Sequence, residues 1–293
     1  MLSEDLLRKV RLIEITTRKM VDEAMSGRYR SHFKGHGVQF SEHRPYVAGD
    51  DIRHIDWKVS ARTRDLLIKK YEEERELTVF LVIDASGSGA FGSWQKLKSE
   101  IAAEIAGMLA YAASRTGDRI GMIMFSGGID KIIAPRKGRQ HILRIIRDIL
   151  DHEPKTKGTD LKGALESTGR IMKHSGVIFV ISDFLATDYE RQLKLLSRRH
   201  DVVAVMVNDM REFDVPAVGH ILLMDPETGE ERFIDTSSYR FKKWIQERRA
   251  AHEGRLKNAF SDSRVELLKI GTKEDYGEAV VRFFKKRSKR HNR

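Results

Sequence analysis

The chain has 293 residues, 40% hydrophobic and 33% charged, with 54 Lys and Arg against 43 Asp and Glu; this is an ordinary balance for a folded soluble protein of one large domain, or of one domain with an appendage. Cysteine is absent, which excludes disulfides, thiol catalysis and thiolate metal sites. No run approaches the roughly 20 apolar residues of a membrane span, and Met1–Met20 carries charges throughout, unlike a secretory leader, so a cytoplasmic address is expected.

The net charge of +11 is concentrated at one end, because six Lys or Arg fall within Lys285–Arg293 and the rest of the chain carries only +5. Residues 287–293 therefore read as a basic, solvated tail. No basic face with interleaved aromatics is visible, so specific nucleic-acid binding is not expected.

In chain order, Leu6, Val10, Ile13, Thr17, Met20, Val21 and Ala24 recur near a 3.6-residue period and predict an amphipathic helix over residues 1–26. Ser26–Gly49 turns to Gly, His, Arg and aromatic residues and reads as irregular. Within it Arg28, Tyr29, Arg30, Phe33 and Lys34 could touch phosphate, although a solvated loop is the plainer reading. Gly49-Asp50-Asp51 is a turn leading to Ile52–Trp57, and the acids Asp50, Asp51 and Asp56 near Arg53 and Trp57 read as an ion-paired structural turn docking the extension onto the α/β domain rather than an active site. Leu66–Glu74 alternates loosely and could be a strand. Residues 1–76 are taken as an N-terminal helical and irregular extension packed on the main domain.

From Leu77 the pattern becomes regular. Leu77–Ile83 is a continuous apolar run ending in Asp84, the signature of a parallel strand buried on both faces. Leu97, Ile101, Ile105, Met108, Leu109 and Ala112 mark a helix face. Strands at 120–125 and 129–134 are joined by Ser126-Gly127-Gly128, which predicts a hairpin and one antiparallel strand. Helices at 139–150 and 160–173, a strand at 177–181, a helix at 188–199 and a strand at 202–207 follow. A hairpin of 221–224 with 232–235 turns around Pro226–Gly229. A helix at 238–260, a strand at 265–270 and a helix at 274–286 complete the series. This alternation predicts an α/β fold over residues 77–286, three-layer and doubly wound on a mostly parallel sheet.

Ligands of such sheets sit beyond the carboxyl ends of the strands. Asp84-Ala85-Ser86-Gly87-Ser88 follows the first strand, Asp183 follows the fourth, and Gly158-Thr159-Asp160 precedes a helix. Two carboxylates and three hydroxyls thus converge from three loops, with Asp160 read as a helix N-cap that leaves Thr159 free. An all-oxygen set of this kind suits a hard cation, Mg2+ or alternatively Mn2+ or Ca2+. Because only two donors are charged, the ion would stay electron-poor and would favour an incoming carboxylate.

This pattern resembles the metal-ion-dependent adhesion site of von Willebrand factor A domains, an Asp-x-Ser-x-Ser followed by a distant Thr and a later Asp. Thr159 and Asp183 lie 75 and 99 residues beyond Asp84. The resemblance implies direct coordination by Ser86, Ser88 and Thr159, with Asp84 and Asp183 acting partly through water and through hydrogen bonds to the hydroxyls. Over nearly the whole chain, Arg44-Pro45-Tyr46, Gly49-Asp50-Asp51-Ile52-Arg53, Ile55-Asp56-Trp57, Ser60-Ala61-Arg62, Glu73–Glu76, Ile181–Phe184 and Arg199–Val202 resemble the bacterial family catalogued as domain of unknown function 58. That resemblance implies a non-catalytic interaction module, with no catalytic residues and no organic cofactor. It would work with a MoxR-type AAA+ ATPase, or its client, through an exposed Asp or Glu of the partner.

An alternative is a magnesium-dependent phosphohydrolase. A haloacid-dehalogenase-type enzyme needs a second Asp two residues after its nucleophile, and Ser86 stands there. No Gly-x-x-x-x-Gly-Lys-Ser/Thr loop is present, and the eleven histidines form no metal-ligand pair.

Overall fold

In a computed structural model the described residues are 4–24, 39–72, 77–224, 229–261 and 263–291. The first element, α1 (Glu4–Ala24), buries Val10, Ile13, Thr17 and Val21 along one stripe. Glu14 lies on the same face, only 8% exposed. Its carboxylate accepts the Tyr111 hydroxyl at 2.8 Å and Arg139 Nε at 2.5 Å, so a buried charge is paired rather than stranded. Residues 25–38 lie outside the described part, and the candidate phosphate contacts Arg28–Lys34 lie there with them.

The contacts divide the chain into two compact units, Met1–Phe33 with Thr78–Arg293, and Lys34–Leu77. In the smaller unit β1 (Gln39–Pro45) pairs antiparallel with β2 (Leu67–Glu72), Arg44 facing Ile68. Between them lie a single 3-10 turn, Ile52–His54, and α2 (Trp57–Thr63). The acids here are engaged in ion pairs and caps within the unit. Asp50 takes two 2.7 Å bonds from the Arg44 guanidinium, Asp51 caps the 3-10 turn, and Asp56 caps α2 through the Val59 N–H. The strand over residues 39–45 falls where an irregular segment is expected. Its ladder is made with residues more than twenty positions away, which no local pattern announces.

The larger unit holds a six-stranded sheet. Its strands are β3 (Thr78–Asp84), β4 (Arg119–Phe125), β5 (Ile129–Arg136), β6 (Val177–Ser182), β7 (Asp201–Asn208) and, after a separate hairpin of β8 (His220–Met224) with β9 (Glu231–Asp235), β10 (Glu266–Gly271). Across the sheet the order is β10-β7-β6-β3-β4-β5, parallel except for β5, which runs against β4. Helices α3 (Lys98–Arg115), α4 (Arg139–Leu150), α5 (Leu161–Ile171), α6 (Glu190–Ser197), α7 (Tyr239–Ser261) and α8 (Tyr276–His291) complete the alternation.

Strand residues alternate between two covered faces. Phe80, Val82, Ile178, Val180, Val202 and Ala204 pack into one core with Leu161 and Leu165 of α5, Leu193 of α6 and Leu256 of α7. On the opposite face, α3 packs against β3 and β4, with α1 and α4 against α3 and with α8 against β10. Every residue from Val79 to Ile83 is buried, as a central strand covered on both sides requires. The architecture is three-layer, mostly parallel α/β.

Two details depart from the expected pattern. The inward face of α3 begins at Lys98, 4% exposed, while Leu97 is 39% exposed. At the far end α8 continues to His291, and Arg287 is buried against the Asp201 carboxylate through two 2.5 Å bonds.

Candidate functional site

Strand order explains where the site forms. From β3 the chain moves outward to β4 and β5, then returns on the other side of β3 to lay down β6 and β7. The carboxyl ends of β3 and β6 therefore neighbour each other at a topological switch point, where loops diverge and leave a crevice. A small, half-open cavity of about 20 Å³ lies there among Asp84, Ser88, Lys98, Ser99, Ser182 and Asp183.

Four of the five candidate residues join one hydrogen-bonded cluster. Asp84, the last residue of β3, accepts the Ser86 N–H on Oδ1 at 3.0 Å and the Ser182 hydroxyl on Oδ2 at 2.6 Å. The hydroxyls of Ser86 and Ser88 lie 3.2 Å apart, and Ser88 Oγ donates to Asp183 Oδ2 at 2.8 Å across 95 residues of sequence. Asp183 Oδ1 accepts the Leu185 N–H at 3.1 Å. Thr159 stands half-buried in the loop before α5. That loop is held beside the β3 end because the Asp160 N–H donates to the Ser126 carbonyl at 2.6 Å, one residue beyond Phe125, the register partner of Asp84. Asp160 itself caps α5 through the Gly163 N–H at 2.8 Å. Its side chain is thus committed to the helix, as expected.

Backbone strain marks the same place. Phe184, directly after Asp183, has φ 55, in the left-handed region that bulky residues avoid at a cost of roughly 1–2 kcal/mol. Its ring is buried against Tyr189 and Phe260, with centroids at 5.7 and 5.5 Å, and its N–H donates to Ser182 Oγ at 3.0 Å. Ring burial and this bond hold the turn that aims Asp183 at Ser88.

Sequence reasoning missed three members of the site: Ser182, Lys98 and Glu212. The Lys98 ammonium donates to Asp183 Oδ2 at 2.7 Å and also to the Glu212 carboxylate. One signal for it is visible in the sequence. Lys98 falls on the stripe of Ile101, Ile105, Met108 and Ala112, and a lysine on the buried face of a helix needs an anionic partner.

The electrostatics follow from this placement. Burial, and then the neighbouring Asp183 charge, push the Asp84 carboxyl up to about 6. Burial works in the same direction on Asp183, but the Lys98 ammonium with the Leu185 and Ser88 hydrogen bonds outweighs it and holds Asp183 below the usual carboxylate range. Lys98 is opposed by burial, yet Asp183 and Glu212 raise it above its ordinary value. Burial raises Glu212.

The donor set fits a hard divalent cation. It consists only of oxygen, and its two unequal carboxylates repel each other, a repulsion that a cation between them would relieve. Among the described residues there is no cluster of three or more His, Cys, Asp and Glu that could hold a metal, so an ion here would depend on the serine and threonine hydroxyls.

Fold and cluster together define an α/β protein with a hydroxyl-rich, two-carboxylate crevice at the switch point of a mostly parallel sheet. The chain belongs to the family described as Protein of unknown function DUF58, whose pattern spans residues 42–255. It is 30% identical over 279 residues to an uncharacterized protein of Mycobacterium tuberculosis, covering 94% of this chain and 87% of that one. Among solved structures it is similar to an aerotolerance-related membrane protein from Bacteroides fragilis NCTC 9343, at 14% identity and a TM-score of 0.50, covering 73% of this chain and 99% of the other. It is also similar to the VWA domain of SpRpn10, at 10% identity and a TM-score of 0.41, covering 70% and 94%. Among the described residues of the present chain, no helix is long and apolar enough to cross a membrane.

Proposed function

We propose that this chain is a non-catalytic protein-interaction module of the von Willebrand factor A type. In this reading Asp84, Ser86, Ser88, Thr159 and Asp183 hold one divalent cation, Mg2+ or alternatively Mn2+ or Ca2+. The observation that carries the reading is the Ser88 hydroxyl, set between Ser86 and Asp183. It draws two distant loops into one oxygen cluster with too few charges to neutralise a bound cation's pull on a further donor. An exposed Asp or Glu of a partner protein would supply that donor. A MoxR-type AAA+ ATPase, or its client, is the proposed partner, and assembly or activation of other complexes the proposed role.

The hydrolase alternative draws no support from the crevice, since Ser86 occupies the place where the second carboxylate of such an enzyme would stand. The binding test uses purified full-length chain and a purified MoxR-type ATPase from the same genome. Retention of the ATPase should require Mg2+, and should be lost with a chelator and in Asp84→Ala. Retention that survives both treatments refutes the metal grip.

A further inference from the structure

The cation already inside the site is Lys98. Its side chain is 4% exposed, and its Nζ contacts Asp183 Oδ2, the same oxygen that accepts the Ser88 hydroxyl, at 2.7 Å. Its second partner is Glu212, in the 3-10 turn Met210–Glu212 that follows β7. That turn is anchored independently of Lys98. Glu212 Oε2 accepts the Asp209 N–H at 3.1 Å, and Asp209 in turn accepts the Arg211 N–H at 2.8 Å. Glu212 therefore offers the ammonium a fixed anionic seat beside the crevice and outside the five-residue cluster.

Counted as ionised, the two ligand carboxylates Asp84 and Asp183 carry −2, and the Lys98 ammonium on Asp183 offsets one of those charges. Without the lysine the full −2 would face the ion. Lys98 thus lowers the pull on a cation while sharing one of its carboxylates. Two positive groups facing one carboxylate repel each other strongly in a region shielded from water.

We infer that Lys98 is a tethered counter-cation that competes with the divalent ion for Asp183 and keeps the ion weakly held. On this basis ion binding shifts the ammonium from Asp183 onto Glu212, and so couples the crevice to the turn after β7. The inference rests on the metal reading above and adds a regulator to that site. A weakly held ion is the state in which a partner's carboxylate contributes most, because the partner supplies a charge that Lys98 withholds.

The test is direct Mn2+ binding to the full chain, read from the free-ion signal in electron paramagnetic resonance, with Mg2+ as competitor. Lys98→Met, and Lys98→Gln should Lys98→Met fail to fold, should bind Mn2+ at least tenfold more tightly than the unaltered protein. Lys98→Arg, which keeps the charge, should not tighten binding. Adding Asp84→Ala to Lys98→Met should abolish it, which locates the ion in the crevice. Glu212→Gln leaves Lys98 only Asp183 and should weaken binding several-fold. If the unaltered protein binds Mn2+ and neutralising Lys98 leaves affinity equal or lower, the competition is refuted and the metal reading stands. Absence of binding in both proteins overturns the metal reading and this inference with it.

Discussion

Asp209 offers the sharpest test of how the fold supports the crevice. It follows β7, is fully buried, and its carboxylate bonds to Ser93, Arg211 and Thr272, outside the five candidate ligands. Its carboxylate accepts the Ser93 N–H at 2.9 Å, the Ser93 hydroxyl at 2.6 Å, the Thr272 hydroxyl at 2.6 Å and the Arg211 N–H at 2.8 Å. Ser93 sits five positions beyond Ser88, in the loop that delivers Ser86 and Ser88 to the site, so Asp209 ties that loop to the ends of β7 and β10. Hydrogen bonds to a charged group contribute about 1.5–3 kcal/mol each, and orphaned buried donors carry a further penalty. The four bonds act as a unit and do not add, so Asp209→Ala should cost about 3–4 kcal/mol and Asp209→Asn about 2 kcal/mol.

Guanidinium denaturation followed by circular dichroism reads this as a lower midpoint at unchanged slope, and Mn2+ binding should weaken several-fold in the same variants. Acid gives a second reading of the same bonds. Burial works to raise the Asp209 pKa, but the hydrogen bonds outweigh it and hold the group at about 2, below its ordinary 3.8. A depressed folded-state pKa adds stability that is complete above the unfolded value and is lost as pH falls toward the folded one. The native protein should therefore lose between about 1 and 2 kcal/mol from this group between pH 4 and pH 2, a limb that Asp209→Asn lacks. A loss below about 1 kcal/mol for Asp209→Ala at neutral pH would refute the anchoring argument.

Two further substitutions probe other supports. A Cβ on Gly127 would meet the Lys157 carbonyl oxygen at 2.1 Å, whereas one on Gly128 meets only Thr156 Oγ1, at 3.9 Å. Gly127→Ala should therefore displace the loop leading to Thr159, cost more than about 2 kcal/mol and weaken Mn2+ binding, with Gly128→Ala close to neutral in both assays. On α1, Glu14→Ala strands the buried Tyr111 hydroxyl and frees Arg139; a loss of about 2–3 kcal/mol is expected by thermal or chemical denaturation, with little change in Mn2+ affinity.

How far the sequence announced these features depends on whether their cause was local. The run from Leu77 to Asp84 is apolar because β3 is covered on both faces, so strand and candidate ligand were legible together. The antiparallel β5 was legible from Ser126-Gly127-Gly128, since a link that short permits only a reversal. β1 was not legible, because its residues become a strand by pairing with β2 across the intervening turn and α2. The end of α8 was hidden for a related reason. A run of Lys and Arg reads as solvated, yet Arg287 is buried by an ion pair with Asp201, 86 positions earlier. Lys98 lies between these cases. Its place on the α3 stripe was visible, but the partners that make it tolerable, Asp183 and Glu212, lie 85 and 114 positions away.

On the metal reading proposed above, the terms that weaken the fold at this edge would also be the ones that serve it. An Asp84 carboxyl raised to about 6 is a group whose ionised form the surrounding structure disfavours, and the left-handed Phe184 adds backbone strain beside it. Such costs persist only where neighbouring structure over-determines them, and here the sheet core and the Asp209 anchor do so. A divalent cation between Asp84 and Asp183 would relieve the repulsion. Lys98 already relieves part of it, on the Asp183 side. On that reading, the crevice would be stable enough without the ion and short of charge with it, the balance a reversible, partner-completed contact requires.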